Sequence, residues 1–403
     1  MFLATPQKRF KKNHAKKPAE ARFLPAFSPV KPTASRYQPM ETIRYVDGRS
    51  ACRWRLEASD EGVVLPYGQG PDSCDYLGCR EAILVEDRGT YHLFYDGAGR
   101  KGWLACLAVS EDLRKWERLG PVLDFGKPGE PDSRSASAPW TVRAEDGTWH
   151  MFYLGTPNCS PAPDLVPAFP YLTLKARANS LRGPWTKQRG VIPFGVKPGT
   201  FRESTASPGA IIPHGGEYLQ FYSGAVCTMP DSEPPAGVPD LAEAKAARRA
   251  GGPGALRTLG LARTRNLDGA WHVDDEPILP LQEQIENSSL YFEESIATWF
   301  LFTNHIGCIP DPVQPRCHEF TDAVWVYWSR DPTRWNPEHK AVVLDGKNCS
   351  WSKRCIGMPT VHRVGNRLAM LYDAPGGEST DHMRRSIGLA WLDLPLGLPP
   401  GEG

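Results

Sequence analysis

No apolar stretch in this sequence approaches the ~18–20 residues that a membrane-crossing helix needs. No charge of either sign dominates. Lys and Arg number 47 against 46 Asp and Glu, a formal net charge of +1. That balance gives no electrostatic case for nucleic acid or an acidic membrane as partner. The 10 cysteines, at 52, 74, 79, 106, 159, 227, 308, 317, 349 and 355, contain no pair of C-x-x-C knuckles. A structural zinc site is therefore not expected. The N-terminus lacks an apolar core followed by a cleavage site, so it does not read as a signal peptide. The expected location is cytoplasmic, or secreted or periplasmic if the N-terminus is incomplete. Reduced thiols follow from that location, although Cys308 with Cys317 and Cys349 with Cys355 are spaced to close short disulfide loops.

What the chain does have is a repeat. Tyr91-His92-Leu93-Phe94-Tyr95-Asp96-Gly97 returns as Trp149-His150-Met151-Phe152-Tyr153-Leu154-Gly155 and as Tyr218-Leu219-Gln220-Phe221-Tyr222-Ser223-Gly224. Weaker copies are Trp299-Phe300-Leu301-Phe302-Thr303-Asn304-His305 and Leu368-Ala369-Met370-Leu371-Tyr372-Asp373. Each copy is short, apolar and aromatic, as a buried strand should be. A tight turn and another apolar run precede it; a third run and then a tryptophan follow, such as Trp116, Trp185, Trp271 or Trp335. Strand, turn, strand, loop, strand and an outer segment describe a propeller blade. A β-sandwich of unrelated hairpins would not need one aromatic register five times. The fold class expected is all-β: a five-bladed β-propeller of four-stranded blades, its ring closed by an N-terminal strand. Blades should start near 78, 135, 204, 286 and 357, within a single domain over 41–397.

Residues 1–40 form a basic, Pro-rich arm with Lys8, Arg9, Lys11, Lys12, Lys16, Lys17 and Arg22. It suits a flexible segment, possible as a homo-oligomer contact, rather than a nucleic-acid tail. The fifth unit stops after its third strand, so a strand from roughly 41–57 is expected to complete it and cover the open edge. Long insertions at 156–172, 229–257 and 306–322 are expected to shape a binding site. The second contains a short helical run, Leu241 to Arg249.

Charged residues gather where the innermost strands open. Asp75, Arg80 and Glu81 open the first unit, Asp132 and Arg134 the second, Arg202 and Glu203 the third, and Glu286 the fourth. Unpaired buried carboxylates are costly, so such residues are either ion-paired or retained for chemistry. For any single acid the ion pair is the simpler reading; four around one axis favour a site.

This arrangement resembles the five-bladed propeller glycoside hydrolases of family 43 and their relatives in families 32, 62 and 117, across residues 60–395. Arg80-Glu81-Ala82 stands where that family has an Arg-Asp-Pro-like motif with its general base. Glu286-Asn287-Ser288-Ser289-Leu290-Tyr291 is similar to the motif of its general acid, without Gly-Pro-His. Ser207-Pro208 takes the place of the family's pKa-tuning Asp-Pro, with Glu203 nearby. The Trp-Met-Asn-Asp-Pro-Asn-Gly motif of fructosidases is absent. The resemblance implies a glycosidase that uses two carboxyl groups. The expected roles are Glu286 as acid and Glu81 as base, with Asp75 in reserve, and Glu203 raising the pKa of the acid. Arg80, Asp132, Arg134, Arg202 and Asn287 are expected to bind sugar hydroxyls or a carboxylate. Trp140, Tyr291 and His305 are expected to form the sugar platform, although for any one aromatic core packing is the simpler reading. The partner would be an oligosaccharide or polysaccharide of plant, algal or microbial origin, and inversion is the expected course. No cofactor is required; calcium on the axis is possible. A glycan phosphorylase and a non-catalytic carbohydrate-binding propeller are the alternatives. A WD-type protein-binding propeller would show recurring Gly-His and Trp-Asp pairs, which this chain lacks.

Overall fold

The computed structural model describes residues 37–43, 50–227, 254–310 and 317–401. The chain there is all-β, with three single-turn 3-10 helices as its only helical elements among the described residues. None of its helices is long and apolar enough to cross a membrane. The basic stretch at 1–36, most of the insertion at 229–257 with its helical run, and 311–316 lie outside the described residues.

The strands pair as five antiparallel meanders. Gly78–Asp87, Thr90–Gly99, Gly102–Ser110 and Glu117–Pro121 form the first. Ser135–Arg143, Trp149–Thr156, Leu172–Ala178 and Thr186–Lys187 form the second. The third opens with a broken strand, Thr205–Ser207 and Ile211–His214, before Glu217–Cys227, Ala255–Thr264 and His272–Val273. The fourth is Ile285–Glu293, Thr298–Pro310, Cys317–Ser329 and Lys340–Asp345. The fifth is Gly357–Val364, Arg367–Ala374 and Ser386–Asp393, completed by Ser59–Leu65. Each meander packs on the next, and the fifth packs on the first.

The recurring aromatic register has a physical cause. In the first three second strands the fourth residue of the motif reaches the tryptophan of the following meander. Phe94 meets Trp185, Phe152 meets Trp271 and Phe221 meets Trp335, all edge-to-face at 5.3–6.5 Å between ring centroids. Edge-to-face pairs add about 0.5–1.5 kcal/mol beyond burial. Three tryptophans also donate their indole N–H to the turn before the fourth strand. Trp116 bonds Leu113 O, Trp185 bonds Leu181 O and Trp335 bonds Pro332 O. The hairpins between first and second strands use two-residue turns where the sequence permits positive φ, as at Arg88-Gly89 and Gly215-Gly216.

A second regularity lies in the first strands. Four carry a bulge whose central residue is left-handed: Glu81, Ala138, Asn287 and Met358, with φ of 51°, 46°, 61° and 54°. Positive φ is costly for residues other than glycine and persists only where the surroundings enforce it. Here the residue after the aromatic pair in the preceding meander supplies the enforcement. Asp96 Oδ1 accepts from the Ala138 amide, Ser223 Oγ from the Asn287 amide at 3.0 Å, and Asp373 Oδ2 from the Glu81 amide at 2.8 Å. A bulge re-aims the side chains beside it.

The closing strand differs from the expected 41–57. Ser59–Leu65 pairs with the fifth meander, Ile387 opposite Leu65 and Trp391 opposite Ser59. Cys52–Leu56 instead runs parallel to Lys340–Asp345 of the fourth meander, with Tyr37–Ile43 outside it. Arg55 is ion-paired there with Asp345, and Ser50 bonds Glu283 at 2.7 Å. Ser59–Leu65 is half polar because it is an outer strand, so the apolar signal favoured its neighbour. Asp60 on it accepts from Tyr372 and Ser350 of the mated edge. Cys349 and Cys355 are free thiols, as the expectation of reduced cysteines has it rather than the alternative bridge; Cys349 lies beside Tyr372 and Cys355 beside Arg385 and Thr321. Cys308 is disulfide-bonded; the side chain of Cys317 lies outside the described residues.

Candidate active site

The bulges decide which side chains converge. The residue just before each left-handed position turns inward, so Arg80, Ser137 and Glu286 occupy equivalent places and line one cavity of about 150 Å³. The bulge residues Glu81 and Met358 line it too, joined by Asp96 and Arg257 from neighbouring strands. Glu319 and Thr321 arrive on the long third strand of the fourth meander, and His382 and Arg385 before the last strand. The insertion at 156–172 forms a wall with Val166, Pro167, Phe169 and Tyr171. Trp103 holds this insertion by donating to Asp164 O at 3.1 Å, and Tyr171 donates to Pro167 O at 2.6 Å.

Of the residues expected from sequence, Glu81, Glu286 and Arg80 therefore share the cavity. The others do not line it. Asp75 is fully buried against Arg118 at 3.4 Å and accepts from the Gly70 amide. Asp132 is ion-paired with Lys187 and accepts from Tyr153. Arg134 is exposed. Arg202 donates to Gly195 O, and Glu203 caps the Gly199 amide at 3.1 Å. Asp75, Asp132 and Arg134 sit upstream of the bulge, in turns that lead into the strand, and Arg202 and Glu203 lie ahead of the broken first strand of the third meander. Asn287 is the bulge residue itself, with its side chain against Met358. Trp140 and Tyr291 pack on the hydrophobic cores. His305 is buried, stacked on Trp325 at 3.9 Å and bonded to Asp322 at 2.6 Å. No platform role remains for these three in the cavity.

The electrostatics of the cavity are mixed and dense. Burial pushes the Glu81 carboxyl up to about 7; Arg80 and Arg385 oppose this, while Glu286 and Asp373 add to it. Asp96, 2% exposed, is pushed well above the usual carboxylate range by burial and then by Glu81. Glu286 lies 3.7 Å from Arg257, which also binds Glu319 at 2.6 Å. Asp373 is fully buried and ion-paired with Arg385 at 2.6 Å, which also donates to Thr321 at 2.9 Å. His382 is held well below its ordinary value by its dense surroundings, then by Arg80, Arg385 and Arg257. Its neutral ring accepts from Arg80 and stacks on Trp103 at 5.7 Å. Among the described residues no group of three or more His, Cys, Asp or Glu side chains could hold a metal ion.

Six cavity residues escaped the sequence reading: Asp96, Arg257, Glu319, Asp373 as the support beneath Glu81, His382 and Arg385. A signal existed for two. Asp96 and Asp373 follow the repeated tyrosine directly, and strand alternation turns them away from the core that Tyr95 and Tyr372 fill.

No protein-family model matches the chain, and no curated protein matches it in sequence. Solved structures do match. The catalytic domain of a family 62 α-L-arabinofuranosidase from Coprinopsis cinerea superposes with a TM-score of 0.53 at 13% identity, over 83% of this chain and 96% of that one. A family 117 glycoside hydrolase from Zobellia galactanivorans gives 0.52 at 14%, over 84% and 90%. An α-L-arabinanase from Cellvibrio cellulosa, solved with arabinohexaose, gives 0.50 at 13%, over 77% and 90%. In fold the chain is similar to the β-propeller glycoside hydrolases, at a distance that sequence comparison does not bridge.

Proposed function

We propose that this chain is a glycoside hydrolase, a five-bladed β-propeller whose blades are the five meanders and whose active site is the cavity between Glu81 and Glu286. The observation that supports it is a divided pair of carboxyl groups. Glu81 is held near neutrality by burial, so it can carry a proton at working pH. Glu286, in the same cavity, is instead ion-paired with the Arg257 guanidinium at 3.7 Å. Glycosidic cleavage needs one group in each state. This division assigns the acid to Glu81 and the base to Glu286, the reverse of the roles that the motif resemblance suggests. Asp373, bonded to the Glu81 amide, takes the supporting part expected of Glu203.

In the step proposed, Glu81 gives its proton to the glycosidic oxygen as the bond from that oxygen to the anomeric carbon breaks. Glu286 takes a proton from the water that attacks the same carbon, so the configuration inverts. Solvent then returns Glu81 to the acid form and Glu286 to the carboxylate. Phe169 and Tyr171 offer aromatic faces to the apolar side of the ring. The cavity is small beside the ~300–1,000 Å³ of drug-sized sites, which suits one terminal ring rather than a threaded polymer.

The test is hydrolysis of a panel of aryl glycosides and polysaccharides, arabinan included, by wild type, Glu81→Gln and Glu286→Gln. Both variants should lose about 10²–10⁴-fold, the range for acid–base groups, and NMR of the first product should show inversion. Turnover that requires phosphate would move the answer to a phosphorylase. Wild-type silence on every substrate, with glycan binding retained, would leave a binding propeller.

A further inference from the structure

Three guanidinium groups reach the cavity, and they are not equally engaged. Arg257 is bound to Glu319 and faces Glu286. Arg385 is bound to Asp373. Arg80, only 3% exposed, has no carboxylate at ion-pair distance among the described residues. Its neighbours are the His382 ring, which accepts from Nη1, and the face of Trp103 at 5.4 Å. Its Nε is buried without a hydrogen-bond acceptor. A buried cation without a counter-charge costs several kcal/mol, and this one lines a cavity where a ligand can approach it.

We propose that Arg80 is a specificity residue that receives a carboxylate on the substrate, so that the ring bound in this cavity is a uronic acid. The proposal rests on the hydrolase reading for the ring being a sugar. A guanidinium presents a planar fork that matches a carboxylate. His382 fixes that fork from one side and Trp103 covers it, leaving its remaining donors for the cavity. The nearest acids, Glu81 and Asp96, lie beyond ion-pair distance of it, and burial pushes both toward their neutral forms against the pull of Arg80. One unclaimed guanidinium balances one carboxylate. A phosphate at neutral pH carries more negative charge than this single fork compensates.

The experiment is calorimetric binding to the full chain of D-glucuronate and D-galacturonate, the neutral sugars glucose, galactose and arabinose, and inorganic phosphate. Wild type, Arg80→Met and Arg80→Lys are compared. At least one uronate should bind about ten- to a hundredfold tighter than its neutral counterpart, the range of a hydrogen bond to a charged group. Arg80→Met should bring the uronate down to the neutral level, and Arg80→Lys should restore part of the difference. If Arg80→Met fails to fold, the wild-type comparison of uronate with neutral sugar decides. Equal binding of neutral and acidic sugars, no binding of either, or phosphate displacing the uronate in preference overturns the proposal. Binding is read without turnover, so the two readings fail separately. Uronate binding with no hydrolysis sinks the hydrolase, while hydrolysis of neutral glycosides without uronate binding sinks only the proposal made here.

Discussion

Replacing Glu81 with glutamine should stabilise the protein in alkaline solution while abolishing its activity. The carboxyl rises from its ordinary 4.5 to about 7 on folding. At ~1.36 kcal/mol for each tenfold, that rise amounts to about 3 kcal/mol. The sign follows from the protonation states. Below pH 4.5 both folded and unfolded chains hold the proton, and the site costs nothing. Between 4.5 and 7 only the folded chain holds it, so stability falls as pH rises. Above 7 the full cost is present. Glutamine is neutral throughout and nearly the same shape, so it escapes that cost. Glu81→Gln should therefore match wild type near pH 4.5 and exceed it by about 3 kcal/mol at pH 8. For 403 residues at about 2.1 cal/mol/K each, the gain is roughly 4 °C in Tm. Thermal melts followed by circular dichroism at both pH values, with activity assayed in parallel, provide the check. A Tm difference that is the same at both pH values, or a variant that stays active, would refute the reasoning.

If Glu81 is the acid, kcat/KM should fall as pH rises through about 7, because the proton-bearing form is then lost; a flat profile from pH 6 to 8.5 would contradict the role. Asp373→Asn should move that limb to lower pH, since Asp373 helps raise Glu81 and its loss frees Arg385 to lower it further. The same substitution leaves Arg385 buried without its partner and should cost about 3–5 kcal/mol in denaturant melts; a loss under 1 kcal/mol would mean the pair is not tightly enclosed. Lys340→Met should cost a similar amount, by stranding buried Glu283 near Ser50 and Tyr327, without touching the cavity; an unchanged Tm would dismiss that buried pair as a brace. Phe152→Ala removes a fully buried ring from the contact with Trp271 and should cost about 3–5 kcal/mol; a smaller cost would mean neighbouring meanders pack loosely.

The meanders were legible because an inter-meander contact imposes the same aromatic position each time. Phe94, Phe152 and Phe221 recur in register since each must meet a tryptophan of the next unit. Glu81 and Glu286 were legible as acids at strand openings. Asp75 and Asp132 look equivalent in the linear sequence, but the bulge lies downstream of them and selects other side chains, while Glu203 precedes a broken strand and caps the Gly199 amide. A bulge is a backbone event held by a distant side chain, and Ala138 or Met358 carries no trace of it in its own identity. Arg257, Glu319, His382 and Arg385 were illegible for a further reason. They reach the cavity from third strands and loops, and only the mutual packing of the meanders brings them together.

The pairing of Ser59–Leu65 with Ser386–Asp393 joins segments more than three hundred residues apart in sequence. The edge strand leaves the ribosome long before its mate. Until Ser386–Asp393 is made, Ser59–Leu65 has no native strand partner, and the fifth meander cannot be completed. Such long-range pairing is slow to form, because loop-closure entropy is spent before the contact rewards it. A ribosome stalled between residues 286 and 386 would hold a chain whose two cavity carboxyl groups already exist but whose Glu81 amide, bonded to Asp373 only in the finished fold, is not yet locked in place.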